Sequence, residues 1–109
     1  MPINTEQILK QMLDEFKKII SDKWPEIRDT ATDGLKKISE NIAQIELMKA
    51  NNTITLEQAQ LQLDIQKNTL KTILITEKGL TLLAVESAIN AALGIVKDAV
   101  NTAIGWTVL

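Results

Sequence analysis

The chain has 109 residues, 45% of them hydrophobic and 24% charged, with a formal net charge of −2 and neither cysteine nor histidine. That length suits a single helical domain over residues 1–109, enough for a core and too short for a second domain. The small net charge, with both signs mixed along the chain, argues against a nucleic-acid surface, and the two missing residue types remove disulfides, thiolate chemistry and the commonest general base and metal ligand.

Met1 to Gln11 is polar, without a basic segment leading into an apolar run, so no signal peptide is read there. No stretch of eighteen consecutive apolar residues suggests a conventional membrane span. A cytoplasmic protein or part of a larger assembly is expected. The first element is a helix near 5–23, because Ile8, Leu9, Met12, Leu13, Phe16, Ile19 and Ile20 recur at three-and-four spacing. Asn4 is placed to cap it, Gln7 to close a capping box and Ile3 to staple onto Ile8. Phe16 and Trp24 read as anchors on this stripe, and Met12 and Met48 as gap-filling core residues.

Pro25 interrupts the pattern. Inside a helix, proline removes one backbone donor and costs about 3 kcal/mol, so it marks a kink or a restart with Asp22 as a candidate cap. Ile27, Ala31, Leu35, Ile38, Ile42 and Ile45 then carry a second stripe, a helix near 25–50. Asn51-Asn52-Thr53 is the one convincing reversal. Thr55 and Gln58 repeat the capping-box pattern, and Leu56, Ala59, Leu63, Leu70, Ile73 and Leu80 continue as a third stripe, whose helix is expected near 55–78. The Ile73-Leu74-Ile75-Thr76 patch has β-type composition, but it sits inside a helical period. Gly79 is the second interruption, costing about 1 kcal/mol in a helix.

Folding the two arms about residues 51–54 sets Pro25 beside Leu80 and next to Gly79, so both weak points form one hinge. The expected fold is all-α, a jointed antiparallel helical hairpin closing as a four-helix bundle, with a fourth segment near 80–104. The alternative is the same hairpin intertwined in an oligomer, since an unbent arm would be roughly 70 Å long. The alignment also brings Arg28 and Glu77 to one level, predicting an interhelical ion pair that contributes little if exposed.

The fourth segment is apolar over most of its circumference. Leu82, Val85, Ile89, Leu93, Val96, Val100 and Ile104, with Trp106 in the apolar tail, are the candidate core or interface residues. Glu86, Ser87, Asn90, Gly94, Lys97, Asn101 and Thr102 form a narrow polar strip. Burial in the chain's own bundle ranks first, a contact between chains second and a lipid surface third, because Lys97 is the one basic residue on it. Asp14 and Glu15, or Asp29 and Asp33, are interleaved with lysines and read as a solvated face rather than an acid pair. The scattered glycines match no phosphate loop, and Gly105 reads as the end of the last helix.

No catalytic residue, cofactor, metal site, small-molecule substrate or nucleic-acid partner is therefore expected, and the chain is not read as an enzyme. The expected role is a non-catalytic structural or adaptor subunit that forms a homo-oligomer or binds a protein partner through the apolar C-terminal helix. The alternative is a membrane-active or lipid-binding protein using the same helix.

Overall fold

Four α-helices, α1 (Thr5–Ile19), α2 (Trp24–Ala50), α3 (Leu56–Thr76) and α4 (Leu82–Ile104), make up the computed structural model, which describes residues 3–109. Each runs antiparallel to the next. The first helix packs on α4 and α2, α2 on α3, and α3 on α4, while α2 also reaches α4 across the centre. Among the described residues α1 and α3 do not meet. The jointed hairpin thus closes as a four-helix bundle measuring 42 × 23 × 19 Å.

Short polar devices start α1, α3 and α4. The Asn4 side chain accepts the Gln7 amide at 3.1 Å. The Ile3 amide donates to Glu46 Oε1 at 3.0 Å, which ties the entry of α1 to α2. At α3 the capping box is complete: Thr55 Oγ1 accepts the Gln58 amide at 3.1 Å and Gln58 Oε1 accepts the Thr55 amide at 2.9 Å. Thr81 caps α4 by accepting the Ala84 amide at 3.2 Å, a signal that the surrounding apolar run hides in the sequence.

Both interruptions are chain reversals. Pro25 lies in the first turn of α2, where its missing N–H has no intrahelical role. A helix running through it would drive the ring into the carbonyl of residue 21, so α1 stops at Ile19 instead of continuing to 23. Asp22 is not the cap: Lys23 holds that position without a side-chain capping bond. At the other joint α3 ends at Thr76, short of 78, and Gly79 turns the chain with φ +71°, a conformation costly for a residue with a Cβ.

One cluster of buried apolar side chains fills the bundle, from Ile8, Met12 and Phe16 on α1 through Ile27 to Ile45 on α2, Leu63 and Leu70 on α3, and Val85 to Ile104 on α4. Phe16 is fully buried and its ring centroid lies 6.4 Å from that of Trp24, tilted by 53°. Gly34 lets α2 approach α3, since a Cβ there would lie 2.5 Å from Leu70 Cδ1. Further along, Asn41 Nδ2 donates to Gln62 Oε1 at 2.9 Å, while Asn41 Oδ1 is buried without a partner. A slip of α2 against α3 would leave both amides unmatched, so the pair specifies register.

The expected Arg28–Glu77 ion pair does not form. Ile27 occupies the buried face of α2, and the neighbouring Arg28 therefore points outward, with its Nε 3.6 Å from Asp29 Oδ1. Glu77 is the exposed C-cap of α3, and no ion pair links the two among the described residues.

Candidate functional site

Helix α4 divides its apolar residues in two. Val85, Ile89, Leu93, Val96, Val100 and Ile104 are buried and face the other three helices, so in the closed chain they form the core. Leu82 and Leu83 are 53% and 78% exposed in the first turn, and Ile95 is 51% exposed at mid-helix. Of the candidate residues on α4, Leu82 is therefore not part of the chain's own core, and the wide apolar side of the helix is left uncovered at these three positions. Adjacent helices cover only part of a peripheral helix, and the polar strip from Glu86 to Thr102 does not take up all of the remainder.

Trp106 packs half-buried against the core, because the tail folds back. Gly105 ends α4 in the left-handed conformation, and Lys49 of α2 reaches over to donate from Nζ to the Ile104 carbonyl at 2.6 Å. The same ammonium lies 5.0 Å from the centroid of the Trp106 ring. Asn101 Oδ1 accepts the Val108 and Leu109 amides at 3.0 and 3.1 Å, and Gln60 Nε2 donates to the Thr107 carbonyl at 3.0 Å. Lys49 thus satisfies a helix-end carbonyl and meets the negative end of α4's dipole. Lys49→Met keeps the stem and removes the charge; it is expected to lower stability by about 1.5–3 kcal/mol, read as a lower urea midpoint with unchanged slope.

A shallow groove runs between α3 and α4. One cavity of about 170 Å³ lies among Lys67, Lys71, Glu86, Ile89 and Asn90. A second of about 250 Å³ lies among Lys67, Leu93, Gly94, Lys97 and Leu109. Lys71 Nζ is 4.0 Å from Glu86 Oε1 across the groove and Lys67 Nζ is 3.2 Å from Asp64 Oδ1, so much of the local positive charge is already balanced. Among the described residues no three carboxylates converge to hold a metal ion.

The surface of α3 has a different character. Gln58, Leu61, Ile65, Asn68, Thr69 and Thr72 are all exposed and follow one another at helical spacing, forming an uncharged strip about four turns long that Glu57 and Asp64 border on one side. Leu61 and Ile65 are 59% and 54% exposed. The outward faces of α1 and α2 instead carry charges such as Lys10, Asp14, Asp29 and Lys36. Sequence reasoning assigned the exposed apolar surface to α4. The departure on α3 shows only once Ala59, Leu63, Leu70 and Leu74 are known to be its buried face.

No family model, curated protein or solved structure matches the chain. Among the described residues, no helix is long and apolar enough to cross a membrane.

Proposed function

We propose that the chain is a non-catalytic structural or adaptor subunit that works by binding protein, copies of itself included. The exposed apolar face of α3 carries this reading: Leu61 and Ile65 stand exposed one turn apart, with amide and hydroxyl side chains along one side and Glu57 and Asp64 at the other edge. Depletion of charge around apolar side chains is the compositional mark of the centre of a protein interface. Neither side chain serves the core, so removing them tests binding without testing the fold.

Wild type is expected to gain mass with concentration in sedimentation equilibrium, and Leu61→Ser with Ile65→Ser to abolish that gain. Helicity and melting temperature should stay the same, since surface substitutions usually change stability by less than about 0.5 kcal/mol. A wild-type monomer at every concentration, or a double variant that associates like wild type, would remove this face as the contact. Flotation of the wild-type chain with vesicles would replace the reading with lipid binding.

A further inference from the structure

We propose that the two joints are exchange points, at which the chain opens and takes up a second copy of itself by swapping its α1/α4 layer for the partner's. This rests on the reading of the chain as a self-associating subunit and supplies a route by which the candidate α4 residues bind between chains. Because the helices alternate in direction, the α1–α2 and α3–α4 turns lie at the same end of the bundle. Opening both turns together would separate an α1/α4 layer from an α2/α3 layer. The α1–α4 pairing is the most extensive in the structure, and both it and the α2–α3 pairing, which is comparable to α1–α2, stay intact when the joints open.

The register supports the same division. In one layer Asn41 pairs with Gln62 and Gly34 lies against Leu70. In the other, Ala99 and Ala103 lie beside Asn4, Gln7, Ile8 and Gln11. The second set keeps the antiparallel sense of the first, displaced by about one helical turn from the alignment of a single long hairpin.

The buried stripe is also continuous in phase. Met12, Phe16 and Ile20 lead through the half-buried Trp24 to Ile27 and Ala31, always three or four residues apart. On the other arm Leu74 and Val85 are separated by eleven positions, three helical turns. A straightened arm would therefore keep its apolar residues on one side. Two opened chains, arranged antiparallel about a twofold axis, would each lay an α1/α4 layer on the other's α2/α3 layer. The α1–α2, α3–α4 and α2–α4 packings would then be remade between chains from the same residues, the usual logic of domain swapping.

Pro25 and Gly79 hold this equilibrium toward the closed chain. A proline in a helix interior disfavours the continuous helix by about a hundredfold, and a glycine by about fivefold more. Gly79 also fits the closed turn, with φ +71°. Replacing both residues with alanine removes the stops and strains the turn.

The test is Pro25→Ala with Gly79→Ala in the full chain, examined by light scattering and by thiol cross-linking. The chain has no cysteine of its own. Ile3→Cys with Glu46→Cys spans the boundary that exchange would break, and Gln11→Cys with Ala99→Cys lies within one layer. Relative to wild type at equal concentration, the dimer fraction is expected to rise at least tenfold, with 3/46 links formed between chains and 11/99 links within them. A folded variant that stays monomeric, or a dimer whose 3/46 links form within each chain, overturns exchange. Should the variant not fold, the 3/46 pair on wild-type joints is refolded at high concentration, and links found only within chains then overturn it. Adding Leu61→Ser and Ile65→Ser separates the two ideas, because an exchanged dimer survives these changes and a dimer built on the α3 face does not.

Discussion

Val96→Asp is expected to abolish the fold. Val96 is fully buried on the inner face of α4, and among the described residues no cationic side chain is buried with it. An unpaired carboxylate there costs several kcal/mol after relaxation, and the methyl groups it replaces leave their contacts as well. A domain of this size has only about 5–15 kcal/mol of stability. Circular dichroism should show most of the helical signal lost and no cooperative melt. Leu83→Asp is the control, because Leu83 is 78% exposed in the first turn of α4. A carboxylate at a helix N-terminus is slightly favourable, so that variant should melt within a few degrees of wild type. A folded Val96→Asp chain of lower mass would instead show that the inner face of α4 belongs to an interface between chains.

Phe16→Ala is expected to cost about 3–5 kcal/mol, the usual range for emptying a buried aromatic site. The ring is fully buried between the end of α1 and the start of α2 and packs on Trp24. Collapse around the vacated site is restricted because Ile20 and Ile27 are already close-packed on either side of the turn. Thermal melts should move down by more than about 10 °C. Trp24 would lose its aromatic neighbour while Trp106, at the opposite end of the bundle, would not. A red-shifted emission that disappears in Phe16→Ala with Trp24→Leu would assign the change to this site. A loss below about 1 kcal/mol would mean that the joint end contributes little to the core.

The helical class and the order of elements were legible because the apolar residues of α1 and α2 repeat with few exceptions. Ile8, Met12 and Phe16, then Ile27 to Ile45, are the residues that the structure buries. Capping chemistry was fully readable at Thr55, where both bonds of the box form, and half readable at Asn4, which accepts the Gln7 amide without the expected return bond from the Gln7 side chain. The third helix was harder. Its apolar residues are spread around it, so spacing alone could not show that Leu74 is buried, Ile73 half-buried and Ile65 exposed. The Arg28–Glu77 pair fails for a related reason: placing residues at one level does not fix their azimuth, and one step along α2 turns a side chain about 100° from core to solvent. The Lys49 contact with Ile104 joins residues 55 apart in sequence through a turn and a bent joint, a distance over which periodicity carries no information.

The pairing of α1 with α4 also has a temporal side. It is the most extensive in the bundle, yet its two members are the earliest and latest made of these four helices. At the usual elongation rate, roughly 4–17 s separates the synthesis of Ile19 from that of Ile104. During that interval α2 is, among the described helices, the one neighbour that can cover α1, because α3 lies diagonally opposite. The part of α1 destined for α4 must therefore wait on the ribosome as an open apolar surface, and a chaperone or a neighbouring nascent copy would meet it there first.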